Sequence, residues 1–217
     1  FGYKLNMTNI LKVYSQIYDG ERHFSLINPT DSKTKYQDLN TRNLADLTTL
    51  LGDFTSNVKV GFLSEKYKYF GNSSNDNFTF GKVETLLAKY NLNYRFNSKI
   101  QADFAADYTQ NKGIGSDIQE DKRTISGFAM QFKHDVSSKI SYDWSLRKEI
   151  TSNYKSPLLY SIGTKFKPVK FYTLKANVSQ NFRIPTFNDL YWQGAGNLEL
   201  KPEKSLQGEI GNVFQFE

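Results

Sequence analysis

Glu84–Phe96, read E-T-L-L-A-K-Y-N-L-N-Y-R-F, passes through the turn Asn97-Ser98 into Ile100–Thr109, read I-Q-A-D-F-A-A-D-Y-T. Leu86, Ala88, Tyr90, Leu92, Tyr94 and Phe96 alternate with Thr85, Leu87, Lys89, Asn91, Asn93 and Arg95. After the turn, Ile100, Ala102, Phe104, Ala106 and Tyr108 alternate with Gln101, Asp103, Ala105, Asp107 and Thr109. A period of two is the signature of strands with unlike faces, so this stretch predicts a β-hairpin. The rhythm continues through Phe128, Met130 and Phe132, through Ile140, Tyr142, Trp144 and Leu146, and through Tyr160, Ile162 and Phe166. It returns at Tyr172, Leu174, Ala176 and Val178, and again at Leu206, Ile210, Phe214 and Phe216.

These runs are roughly ten to fifteen residues long, against about five or six for an ordinary globular strand. A tilted strand that crosses a bilayer needs roughly nine to eleven. Aromatic residues gather at the run ends, as at Tyr94 with Phe96 and at Phe166 with Phe171 and Tyr172, where an interfacial girdle would stand. Connections alternate in length. Asn97-Ser98, Asp135 to Ser138 and Lys167 to Val169 are short, whereas Asn72 to Gly81, Asn111 to Lys122 and Arg183 to Lys204 are long and polar. Thr151 to Lys155 is intermediate. Short turns at one end and long loops at the other is the arrangement of an up-and-down transmembrane β-barrel.

The first fifth reads less plainly. Phe1 to about Tyr18 fits a strand, and Asp19 to Asn40, polar and holding Pro29, reads as a long loop. Leu44, Leu47, Leu50 and Leu51 before Gly52 fit a helical stripe. Strand parity instead needs a descending strand there and a short turn from Gly52 to Ser56, and this reading is preferred. It gives about ten strands.

Composition bounds the function. The 217 residues hold no cysteine, which excludes disulfides, thiolate metal sites and a cysteine nucleophile. Hydrophobic residues are 38% and aromatics 15%, and mean hydropathy is −0.59. No apolar run is long enough for a membrane helix, but alternating strands cross a bilayer at low average hydropathy. The formal charge is +6, with 28 basic and 22 acidic residues interspersed. Without a basic block, nucleic-acid binding is not indicated.

Asn181 to Leu206 breaks the rhythm. Pro185 ends strand pairing, and Phe187, Tyr191 and Trp192 sit among the turn residues Gly194, Gly196 and Asn197. Phe182-Arg183-Ile184-Pro185-Thr186, then Asn188-Asp189-Leu190-Tyr191, then Gly196-Asn197-Leu198-Glu199-Leu200-Lys201-Pro202-Glu203-Lys204-Ser205 resembles the FRxPT…DLY…GNxxLKPEKS signature of TonB-dependent outer-membrane receptors. The motif residues are thus Arg183, Pro185, Thr186, Asp189, Leu190, Tyr191, Gly196, Asn197, Leu200, Pro202 and Glu203. Leu198 stands where the family usually has proline.

The resemblance implies an all-β antiparallel barrel of twenty-two strands in the bacterial outer membrane. Residues 1–217 would form part of that barrel, the plug domain, TonB box and remaining strands lying elsewhere in a longer protein. It implies import of a ferric siderophore, haem or cobalamin, driven by the TonB-ExbB-ExbD complex pulling on the plug. The partners implied are the lipid bilayer with its lipopolysaccharide, that complex, and a metal-chelate or cobalamin cargo. The cargo is not a cofactor, and none is implied. The long loops would face outward from the cell.

Other chemistry is thinly supported. His23 and His134 lack metal-ligand spacing, and no G-x-S-x-G occurs. Gly113-Ile114-Gly115 lacks a third glycine and a following helix. These features give no catalytic residue and no metal site. On the polar strand face, Lys89, Arg95, Asp103, Asp107, Lys133, Asp143, Arg147, Glu149 and Lys175 fit either a solvated sheet or a wet lumen; the resemblance favours the lumen. Asn188, Asp189, Tyr191, Trp192 and Gln193 are candidate cargo contacts, offering aromatic area and hydrogen-bonding groups. Alternatively Pro185, Asp189, Leu190 and Tyr191 fold the loop back onto the barrel rim. The rival to a transporter is a soluble all-β module that binds a ligand or glycan, which would enclose Tyr90, Phe104, Tyr142 and Leu174 in a core.

Overall fold

A computed structural model describes residues 1–24, 33–116, 121–152, 154–191 and 194–216. Eleven strands make one sheet in strict sequence order. They are β1 (Gly2–Lys4), β2 (Asn9–Phe24), β3 (Thr34–Leu51), β4 (Phe54–Phe70), β5 (Thr79–Arg95), β6 (Ile100–Gly115), β7 (Asp121–Asp135), β8 (Ile140–Thr151), β9 (Leu158–Val169), β10 (Tyr172–Arg183) and β11 (Glu203–Phe214). Every neighbouring pair is antiparallel. One five-residue helix, α1 (Phe187–Tyr191), lies between β10 and β11.

Several boundaries differ from the sequence reading: β4 begins at Phe54 and β5 at Thr79, each a few residues inside an expected connection, and four others differ more widely. The expected strand from Phe1 to Tyr18 is two strands, because Asn6 Oδ1 accepts the Thr8 and Asn9 amides at 2.9 and 2.8 Å and turns the chain. This raises the strand number from ten to eleven. The expected loop from Asp19 to Asn40 is largely hairpin: β2 continues to Phe24 and β3 starts at Thr34. Cross-strand polar pairs support these arms, with Arg22 bound to Asp38 at 2.8 Å and Gln37 donating to Glu21 at 2.8 Å. The loop expected over Asn111 to Lys122 shrinks too, as β6 runs to Gly115 and β7 resumes at Asp121. The short turn expected at Lys167 to Val169 sits later, since β9 continues to Val169 and β10 begins at Tyr172.

Leu44 to Leu51 is strand, as parity requires. Leu51 opposes Phe54 across Gly52-Asp53. Gly52 has φ +60, which a two-residue hairpin with glycine at its first central position demands.

Register separates two faces. Directly opposed residues share a face, so Val60, Ala88, Tyr108 and Ser126 lie together, as do Val58, Tyr90, Ala106 and Phe128, and Leu92, Phe104, Met130 and Leu146. This apolar face is bare: Val60 is 48% exposed, Phe104 42%, Phe128 47%, Ile162 58% and Ile210 75%. Among the described residues the buried hydrophobics are Phe70 and Leu190 alone. Tyr142 and Phe104 are exposed rather than enclosed, so the sheet does not wrap its apolar residues into a core.

The other face is polar and cross-linked. Asn93 donates to Asp103 at 2.6 Å, Lys59 pairs with Asp46 at 3.6 Å, and Arg42 pairs with Glu65 at 2.8 Å. Aromatic rings cluster near the short-turn end, where Phe54 stacks on Tyr94 at 4.1 Å and Tyr172 meets Phe214 at 5.0 Å.

Candidate functional site

The connection from β10 to β11 folds against the long-loop end of the polar face. Its neck is set by register: Arg183 opposes Glu203, and their side chains pair at 3.8 Å. Pro185, with no amide hydrogen, ends the ladder.

Thr186 then starts α1. Its amide donates to Asp189 Oδ2 at 2.7 Å, and the Asp189 amide donates to Thr186 Oγ1 at 3.2 Å. This is a reciprocal capping box with aspartate in the usual glutamate position. The Thr186 amide, then its hydroxyl, and more weakly the charge of Arg183 hold the Asp189 carboxyl below the usual carboxylate range. Leu190 is 4% exposed, and the Phe187 and Tyr191 rings lie 6.2 Å apart.

Asn197 organises the return. Its amide donates to the Asp189 carbonyl at 2.9 Å, and its Oδ1 accepts the Glu199 amide at 2.8 Å. Gly194, with φ +82, takes the left-handed bend before it. The turn therefore closes with Leu198 in place of proline, and Leu198 itself is 69% exposed. Asp189, Leu190 and Asn197 thus meet as folding elements of the loop. Trp192 and Gln193 lie outside the described residues, as does the Asn188 side chain.

The anchor of this loop comes from β7, more than sixty residues away. Arg123 Nη1 donates to the Pro185 carbonyl at 2.8 Å, and the guanidinium lies 4.6 Å over the Phe187 ring. Arg123 is 6% exposed, and its Nε and Nη2 have no partner among the described residues. Sequence reading missed it. The available signal was parity, since Arg123 opposes Asn111 on the polar face.

Beside Phe187 opens a cavity of ≈ 390 Å³, lined by Asp38, Asn40, Glu65, Tyr67 and Val83 among others. The two carboxylates there are held by Arg22 and Arg42. Tyr36, which falls in the stretch read as loop, packs 4.8 Å from Tyr69 and 5.8 Å from Tyr67. Arg22 lies 5.5 Å from the Tyr36 ring centre. The arrangement offers aromatic faces and paired charges at one end of the polar face.

With this geometry, the model of the TonB-dependent receptor-like β-barrel matches residues 2–217. The chain belongs to the TonB-dependent receptor β-barrel family. Among curated proteins it is similar to the vitamin B12 transporter BtuB of Photobacterium profundum, 25% identical over 131 residues, which are 59% of this chain and 22% of that protein. Among solved structures it is similar to the siderophore receptor PirA of Pseudomonas aeruginosa, with a TM-score of 0.77 at 13% identity over 100% of this chain and 48% of that one. The ferric enterobactin receptor PfeA of Pseudomonas aeruginosa gives a TM-score of 0.82 at 10% identity over 100% of this chain and 40% of that one. The chain therefore spans less than half the length of the relatives it matches.

Membership in the TonB-dependent receptor family gives the two faces their meaning. The eleven strands are an antiparallel segment of the receptor barrel, and they are consistent with half of twenty-two. The family is one of receptors.

Proposed function

We propose that this chain is barrel wall in a TonB-dependent receptor that imports a scarce nutrient across the bacterial outer membrane. The cargo class is a ferric siderophore, haem or cobalamin. A plug domain elsewhere in the protein would couple it to TonB-ExbB-ExbD. The observation that carries the reading is the bare apolar face beside a cross-linked polar one. In water, an exposed apolar band of this extent would drive aggregation; in a bilayer, lipid covers it and the polar face lines a wet lumen.

Within that reading, the β10–β11 loop presents the cargo contacts. Tyr191, Trp192, Asn188 and Gln193 contribute ring area and hydrogen bonds. Asp189 acts chiefly by capping α1, since its carboxylate already accepts the Thr186 amide. The cavity beside Phe187 supplies the opposing wall. Growth of a strain lacking the full-length receptor gene, fed single iron chelates, haem or cobalamin, tests the proposal. Selective loss of growth on one source supports it, and undiminished uptake of every source refutes it.

A further inference from the structure

Within the receptor reading above, on which this rests, we propose that the cavity beside Phe187 selects its cargo by charge, receiving an uncharged carboxamide group and rejecting a carboxylate. Two rows of inward residues on β3 to β6 make its floor. Asp38, Tyr67, Gly81 and Gly115 oppose one another in turn, and so do Asn40, Glu65, Val83 and Gly113. A Cβ on Gly81 would collide with the Tyr67 ring, so that ring lies down against the β5 backbone. Gly113 is buried, yet a Cβ built on it meets nothing within 4 Å among the described residues. Empty space thus stands over a covered glycine, and the Phe187 ring of α1 helps to enclose it. A volume of ≈ 390 Å³ lies towards the small end of ligand pockets, which run from about 300 to 1,000 Å³. It suits one arm of a large cargo rather than the whole.

The charges around this space are matched within the protein. Arg22 Nε donates to Asp38 Oδ2 at 2.9 Å, and Arg42 Nη2 to Glu65 Oε1 at 2.8 Å. Arg123 packs on the Phe187 ring and is buried. Lys66 and Lys82 border the cavity from positions that register sets on the outward face, where Lys82 pairs with Glu84. An anion entering here would lie beside two carboxylates and would have to draw a guanidinium off its partner. A charge buried without a partner is costly. A carboxylate accepts hydrogen bonds through both oxygens, so Asp38 Oδ1 and Glu65 Oε2 keep capacity for an N–H donor. The Asn40 amide can donate to a carbonyl. A primary carboxamide is flat and neutral and carries both a donor and an acceptor, which is the complement these groups ask for. A propionate or a catecholate brings charge and no donor.

The test measures equilibrium binding to the full-length receptor in detergent. The probes are cyanocobalamin, its monocarboxylates (each with one side-chain amide hydrolysed), haem and ferric enterobactin. Cyanocobalamin is expected to bind, and one monocarboxylate to bind roughly tenfold more weakly. Asp38→Asn combined with Glu65→Gln releases Arg22 and Arg42 to meet the carboxylate, so the gap between amide and acid should close or reverse. A merely structural role for these residues would weaken both forms alike. Gly113→Leu fills the empty space without a backbone clash and should weaken cyanocobalamin roughly tenfold. Equal affinity for cyanocobalamin and every monocarboxylate overturns the proposal. So does tighter binding of haem or ferric enterobactin than of cyanocobalamin. Either result leaves the receptor reading standing, whereas a receptor that inserts into bilayers and binds none of these cargoes contradicts that reading and the carboxamide site with it.

Discussion

Arg147 on β8 reaches across β7 and grips Asp107 on β6 with both terminal nitrogens, at 2.7 and 3.0 Å. The pair passes over Gly127, whose imagined Cβ would meet Arg147 Nη2 and lie 2.6 Å from Asp107 Oδ2. Arg147 Nε also donates to Glu149 at 2.9 Å. Glycine at position 127 is therefore the gap through which three strands are laced on the polar face.

Gly127→Val is expected to push the guanidinium off Asp107 and lower the barrel's resistance to urea in bilayers by about 1–3 kcal/mol. Asp107→Asn combined with Arg147→Met should cost less than the sum of the single changes, because both single changes break the same bidentate contact. Unfolding midpoints of the four proteins measure this. Strict additivity would show that the pair is not coupled.

The Thr186–Asp189 box makes the loop pH-sensitive. The Asp189 carboxyl is held low, so its stabilising contribution is present above the ordinary aspartate value. It declines as pH falls through the lower folded-state value. The protection of the Thr186 and Asp189 amides, taken relative to the intrinsic exchange rate at each pH, should therefore fall in acid. Asp189→Asn should show low protection without acid dependence, and Thr186→Ala low protection at neutral pH. A flat wild-type protection profile through the acid range would refute the role given to Asp189.

Among the described residues Arg123 bonds the Pro185 carbonyl alone, and its Nε and Nη2 stay unpartnered there. Arg123→Met keeps volume and removes that unmet hydrogen-bonding demand. Global stability should change by under about 1 kcal/mol. The loop, losing its tether and the contact with Phe187, should become susceptible to proteolysis, and cargo affinity should fall roughly tenfold, as one charged hydrogen bond allows. Unchanged proteolysis would show that Arg123 does not hold the loop.

The hairpin Glu84–Thr109 announces the fold because one unbroken alternation has a single geometric reading. The loop motif is legible for a similar reason, as Pro185, Thr186–Asp189 and Asn197 act over a few residues. Arg123 is not legible. Its partner is sixty-two residues away, and nothing local distinguishes it from Lys133 or Arg147. The arms from Asp19 to Asn40 mislead because polar composition resembles a loop, whereas here ion pairs such as Arg22 with Asp38 extend the ladder. The turn at Asn6 escapes because a four-residue hairpin connection leaves the period-two pattern nearly intact.

A charge placed on the outward face should be costly where the same change inward is not. Phe104→Arg is expected to destabilise by about 2–4 kcal/mol, and the neighbouring Ala105→Ser by under about 0.5 kcal/mol. Urea unfolding in bilayers reads both.

These 217 residues hold no cysteine, so in a full-length receptor with any cysteine elsewhere replaced, a thiol placed on β6 is read alone. Single cysteines placed in turn from Ala102 to Tyr108, in bilayers, should alternate strictly. Positions 102, 104, 106 and 108 should be quenched by a lipid-borne quencher, and positions 103, 105 and 107 labelled by a water-soluble thiol reagent. Uniform labelling along the strand, or protection of positions 104 and 106 from both lipid and water, would contradict the outward placement of the apolar face.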